Sequence, residues 1–183
     1  MDINYEIHFH SYWHCSSGLS AGADIDTLVL KNSDNLPYVP GRTMKGLVRD
    51  AITDICAFKA DEVMRESIAE AFGMENSTEN PGICSKMYFS DAVLNEKESN
   101  VIISRKLARH MYRTIASTAI GSEGVAQKHS LRKIQVTVPC VLEGKIMNVP
   151  DDIYQEIQDA LKYIKRLGHH RNRGLGRCTI NII

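Results

Sequence analysis

The chain has 183 residues, 43% hydrophobic and 24% charged, with a formal net charge of zero. That is room for one full hydrophobic core rather than two. No apolar run approaches the roughly 20 residues that cross a bilayer, and the acidic, alternating start MDINYEIHFH is unlike a signal peptide. A cytoplasmic protein with no membrane partner is therefore expected.

Five scattered cysteines, Cys15, Cys56, Cys84, Cys140 and Cys178, form no CxxC pair, which favours reduced thiols over disulfides or a zinc knuckle. The zero net charge hides an asymmetry. Residues 1–100 carry 8 Lys+Arg against 16 Asp+Glu, and residues 101–183 carry 14 against 6. Such a split marks a nucleic-acid face, complementary surfaces between neighbouring subunits, or ordinary solvated faces.

In chain order, Ile3 to Trp13 alternates, with Ile3, Tyr5, Ile7 and Phe9 on one side, which predicts a strand buried on that face. The stretch from Ser16 to Arg49 then combines a small-residue loop, two acids one residue apart, and a Pro-Gly turn. Met44, Leu47, Val48, Ala51, Ile52 and Ile55 predict a helix over Thr43–Phe58. Its other face carries Lys45 and Arg49, four residues apart, with Arg42 at its start. A second helix is expected to begin at Asp61 and stop at Gly73, followed by a strand over Lys86–Leu94.

Residues 95–132 are less regular. They hold Arg105, Lys106, Arg109, Arg113, Lys128 and Arg132 with Gly121 and Gly124 between, and read as a projecting basic excursion. Lys133–Leu142 alternates and predicts another strand, with Pro139 marking an edge or a bulge. Pro150 and Asp151 open a helix with Ile153, Ile157, Ala160, Leu161 and Ile164 along one stripe. A short strand, Arg177–Ile183, ends the chain. Without the excursion the order is βαββαβ, the ferredoxin-like α+β arrangement shared by RNA-recognition domains.

Three constellations carry chemistry. In the Ser16–Arg49 stretch, Ser17 and Gly18 let backbone amides approach a ligand. The start of the following helix, with Arg42, Lys45 and Arg49, suits a phosphate. Asp24 and Asp26 fit a general acid/base or a metal-water ligand at a phosphodiester, and they fit a pair of surface carboxylates equally well. The second constellation is KYIKRLGHHRNRGLGR, residues 162–177, with six Lys/Arg and no acid. Here His169, Arg171, Arg173, Gly174 and Gly176 read as a phosphate-gripping loop, set against the alternative of a helix end capped by glycine and cations. The third is His8, His10, His14 and Cys15, which lack finger spacing for a metal. His8, His10 and Tyr12 alternatively stack on bases.

With these residues in view, the chain resembles the RAMP superfamily of CRISPR proteins, above all the repeated backbone subunit of type III-A effector complexes. Four blocks carry the likeness: SGLSAGADIDTLVLKNSDNLPYVPGRTMKG, FGMENSTENPGICSKMYFSDAVL, RTIASTAIGSEGVAQKHSLRKIQVTVP and LGHHRNRGLGR. The resemblance implies an RRM-like sheet with helices on one face and an inserted thumb hairpin, in a single domain spanning 1–183 with the thumb at about 95–132. It implies copies stacked on a guide RNA together with other CRISPR effector subunits, and cleavage of target RNA by attack of the substrate's 2′-hydroxyl with a transiently bound divalent cation (Mg2+ or Mn2+). In that family the catalytic aspartate follows an isoleucine; here it matches Asp26 after Ile25, and Asp24 lies outside the motif. Lys45 and Arg49 match the guide-contacting helix, and Arg109, Arg113, Lys128 and Arg132 lie in the thumb block. One departure is Thr27-Leu28, where the family commonly has a small residue and proline. Some members of the superfamily keep the fold without cleaving, and others process the guide with a histidine, a role for which His14 is the candidate.

Overall fold

The computed structural model describes residues 1–22, 24–59, 62–73 and 84–183. Strand β1 (Ile3–Phe9) buries Ile3, Tyr5, Ile7 and Phe9 on one side, as its alternation requires. Helix α1 (Gly41–Lys59) follows, then α2 (Glu62–Phe72), which ends at Gly73 with φ 80°. The start expected at Asp61 lies outside the described residues. Strand β2 (Tyr88–Phe89), helix α3 (Glu96–Ser104), β3 (Tyr112–Ser117), β4 (Arg132–Thr137), β5 (Val141–Met147), α4 (Tyr154–Tyr163) and β6 (Cys178–Ile182) complete the chain.

Four strands form one antiparallel sheet in the order β2-β5-β1-β6, with β1 central between β5 and β6. That is the ferredoxin-like order. Helices α1 and α4 pack together on its inner face. Their stripes, Met44, Val48, Ile52 and Ile157, Ala160, Leu161, meet Tyr5, Ile7, Leu142 and Ile146 in the core. The fold is therefore α+β, with an inserted hairpin formed by the two-stranded β3–β4 ribbon.

Three expectations need correction. The alternating run Lys133–Leu142 is not one strand. Its first half is β4, paired with β3 in the ribbon, and its second half enters the main sheet as the start of β5. Pro139 sits at the break, where a residue without an N–H cannot continue a ladder. Residues 95–132 are also more regular than their composition suggests, since α3 opens there. Asn95 accepts the amide hydrogen of Glu98 at 2.9 Å, a cap visible in the sequence as Asn followed three residues later by Glu.

The strand expected over Lys86–Leu94 pairs regularly only at Tyr88 and Phe89. Pairing with β5 resumes at Val93↔Glu143 with one extra residue on the β2 side. At this bulge the Ser90 amide still donates to the Lys145 carbonyl of β5 at 2.9 Å, while the Asp91 carboxylate is turned toward the start of α1.

Candidate nucleic-acid interface

Residues 15–22 and 24–30 form the two arms of an irregular hairpin. The Leu30 amide donates to the Cys15 carbonyl at 2.8 Å, and the Leu28 amide to the Leu19 carbonyl at 2.9 Å. The Ser17 amide and hydroxyl both donate to the Leu28 carbonyl, and the Gly18 amide donates to Ser16 Oγ at 3.1 Å. Thus the Ser17 and Gly18 amides, read from sequence as free to meet a ligand, are occupied within the hairpin. A proline at position 28 would remove the Leu28 donor and with it this bond across the hairpin.

The returning arm of the hairpin lies against β4. Asp26 accepts the Lys133 amide hydrogen through Oδ2 at 2.7 Å and gives its own amide hydrogen to the Lys133 carbonyl at 2.8 Å. Its Oδ1 lies 3.3 Å from Arg132 Nη1, and Asp24 pairs with Lys133 Nζ at 3.0 Å. The Lys133 amide, followed by Arg132, holds the Asp26 carboxyl below the usual carboxylate range. Asp26 is therefore an ionised acceptor at neutral pH and a weak base.

The glycine-rich loop packs on the other side of the same frame. The His169 amide donates to the His14 carbonyl at 2.8 Å, and the Gly176 amide to the Tyr12 carbonyl at 2.7 Å. Gly176 has φ 70°, and a Cβ there would fall 1.9 Å from the Leu167 carbonyl oxygen; no other residue fits. Arg171 and Arg173 form a short 3-10 turn ending at Gly174, and both are exposed. Arg171 also lines a cavity of about 550 Å³ with Leu47, Asp50 and Asp54 of α1.

His14 is fully buried, with Nδ1 2.6 Å from the Gln135 carbonyl. A histidine sealed in this way cannot reach an RNA, which weighs against a guide-processing role. His8 pairs with Glu6 at 2.7 Å and His10 bonds Thr179 at 2.8 Å on the sheet face away from the helices.

The cations of α1 are placed differently from the sequence expectation. The first helical amide, Gly41, already donates to Asp91 Oδ1 at 2.8 Å, so a protein carboxylate occupies the position proposed for a phosphate. Lys45 and Arg49 share one face, while Asp50 and Asp54, on another, line the cavity that Arg171 and Asn172 of the glycine-rich loop also line. Desolvation, aided by Arg49, lowers the Lys45 pKa. In the ribbon, Arg113 Nη1 is turned onto the Tyr112 and His110 carbonyls, and Arg109 Nε contacts His110. Lys128 sits in the exposed loop between β3 and β4. Among the described residues, Arg42, Lys45, Arg49, Arg109, Arg113, Lys128, Arg171 and Arg173 have no carboxylate within 4.0 Å.

Asp26 does not fit a resident metal site. Both its oxygens already face N–H groups, and the described residues hold no cluster of three or more His, Cys, Asp or Glu suited to a metal ion. Sequence reasoning missed two residues. Gln135 is the hub of the frame: its amide donates to the Thr27 carbonyl at 3.0 Å and its Oε1 accepts from Val29 at 3.4 Å. Asp91 caps α1. Neither carries a local signal, because both partners lie far away in the chain.

The family model for the RAMP superfamily matches residues 6–179. The chain belongs to the RAMP superfamily. No curated protein matches it. Solved structures that share its fold include two chains of one kind of assembly. A chain in the cryo-EM structure of the type III-B Cmr-beta bound to cognate target RNA gives a TM-score of 0.73 at 11% identity, covering 100% of this chain and 97% of that one. A chain of the apo Cmr-beta gives 0.71 at 12% identity, with the same coverage. The sequence blocks resemble the type III-A subunit, and at this identity the likeness speaks for the RAMP fold and not for a subtype. No described helix of this RAMP chain is long and apolar enough to cross a membrane.

Proposed function

We propose that this protein is a guide-RNA-binding backbone subunit of a type III CRISPR effector complex, working in the cytoplasm beside copies of itself and other effector subunits. One observation carries the reading. The glycine-rich loop and the Asp26 hairpin hang on a single hydrogen-bonded frame, with unneutralised cations around it. Membership of the RAMP superfamily and the likeness to chains of a target-RNA-bound assembly support it. Exposed Arg171, Arg173 and His169, with Lys45 and Arg49 on α1, grip guide phosphates. The ribbon, together with the residues from about 95 that lead into it, is the thumb of a single domain that meets the guide–target duplex.

Target cleavage is the second half of the proposal. The target's 2′-hydroxyl oxygen attacks the adjacent phosphorus, the P–O5′ bond breaks, the 2′-hydroxyl proton leaves and the 5′ oxygen gains one. Asp26, ionised and weakly basic, suits orienting that hydroxyl better than removing its proton. A divalent cation belongs to the proposal only as a transient companion of the RNA. The competing reading, a non-catalytic structural subunit, is favoured by one fact: both Asp26 oxygens already serve Arg132 and β4.

Asp26→Asn in the assembled complex separates the two, because an asparagine Oδ1 still accepts from Lys133 and keeps the frame. The expected result is unchanged target binding with cleavage lost. Cutting at the same positions by the variant would sink the catalytic assignment, and absence of any cutting by the unmodified complex leaves the structural reading. A protein that neither binds guide-length RNA nor assembles on it ends the proposal.

A further inference from the structure

Strand β4 turns the peptide groups of Lys133, Gln135 and Thr137 toward the hairpin. Thr137 exchanges both of its backbone bonds with Trp13, at 2.8 and 3.1 Å. Lys133 exchanges both with Asp26, one of them through the carboxylate. The two pairings run in opposite senses, antiparallel at Trp13↔Thr137 and parallel at Thr27↔Ile134. Between them lies Gln135. Its amide reaches Thr27, but where an antiparallel partner gives way to a parallel one, the backbone supplies no N–H for its carbonyl. An unpaired buried carbonyl there is costly.

The imidazole of His14 fills that gap at 2.6 Å. Since a carbonyl only accepts, the contact assigns the proton to Nδ1. His14 Nε2 is buried and has no partner among the described residues, so Nδ1 is the end of the ring that serves the structure. The backbone of the same residue holds the glycine-rich loop, since its carbonyl accepts from His169 and the two rings lie 5.8 Å apart.

We infer that His14 is a positioning residue: its Nδ1–H closes the β4 edge between the Trp13 and Asp26 contacts, and its carbonyl anchors the glycine-rich loop, so one residue sets the spacing between Asp26 and that loop. The functional consequence rests on the reading given under Proposed function; the positioning itself does not.

The test uses the full chain and three variants. An asparagine amide can replace the Nδ1–H donor, a glutamine amide reproduces Nε2 instead, and alanine supplies neither. Amide hydrogen exchange is followed over residues 131–137 and 167–176, with β1 as internal reference. His14→Asn is expected to exchange like the unmodified protein, while His14→Gln and His14→Ala exchange at least tenfold faster in both segments with β1 unchanged. Equal protection in all four proteins overturns the inference, as does an asparagine variant no better protected than the glutamine one. Should the alanine variant fail to fold, the asparagine–glutamine pair still decides. In the assembled complex, His14→Gln is expected to slow target cleavage about tenfold and His14→Asn to restore it. If the unmodified complex does not cleave, the catalytic half of the proposed function falls while the exchange result still stands or fails alone.

Discussion

The carboxylate of Asp91 receives the amide hydrogen of Gly41 at 2.8 Å, joining the bulge after β2 to the first residue of α1 across fifty positions of sequence. Gly41 lies so close to β2 that a Cβ would sit 2.0 Å from the Phe89 carbonyl oxygen. Gly41→Ala must push α1 off the sheet, and a loss of about 3 kcal/mol is expected in urea unfolding. Asp91→Ala keeps the packing and removes only the cap, so about 1 kcal/mol is expected. Equal effects from the two changes would mean that the close approach is not the limiting contact.

Asp26→Ala removes the acceptor of the Lys133 amide and the partner of Arg132 at once. The expected outcome is a lower Tm and faster proteolytic nicking in β4, both larger than for Asp26→Asn. A variant indistinguishable from the parent in both measurements would show that the carboxylate does not hold the ribbon.

The pH dependence has a definite sign. Burial, opposed by the Gln135 bond and aided by His169 and His170, lowers the His14 pKa. Burial with His169 and Arg173 lowers that of His170. Below about pH 6.5 the unfolded chain takes up protons at these residues that the folded one refuses. Stability is therefore full above that pH and falls as pH drops toward 5. Asp26, held below 3.8, stays ionised throughout that window and does not contribute to the loss. Urea titrations at pH 7.5 and 5.0 check this, and His14→Asn is expected to flatten the difference.

Arg171 and Arg173 stand exposed without carboxylate partners among the described residues. If both contact phosphates, the double alanine variant weakens guide-length RNA binding at low salt. It also flattens the log–log salt slope by about 1.4, roughly 0.7 per contact on a single strand. Weakening with an unchanged slope would assign the arginines to something other than phosphate contact.

Most of the main sheet was legible in the sequence because its signals are local. The β1 alternation, the α1 and α4 stripes and the glycine after α2 each depend on neighbours within a turn or a strand. The order βαββαβ then fixed the sheet. What stayed hidden is non-local. The period-two run Lys133–Leu142 carries no mark saying that its halves join different sheets, apart from Pro139. Asp91 and Gln135 act on partners 50 and 106 residues away. At the site, Asp26 could be singled out by its motif, yet its bond to the Lys133 amide depends on a strand more than a hundred residues on. The buried state of His14 was equally unreadable, since an alternating polar face and a sealed donor look alike in one dimension.

Because Trp13, His14, Thr27 and Asp26 satisfy β4 along its outer side, that side of the ribbon offers no template for a foreign strand. Among the described residues, the β3 side, Tyr112–Ser117, pairs only inward with β4. Another polypeptide extending this ribbon by strand addition must therefore approach beside Arg113, in one of two directions only. The hairpin that holds Asp26 thus also shields one edge of the ribbon from strand addition.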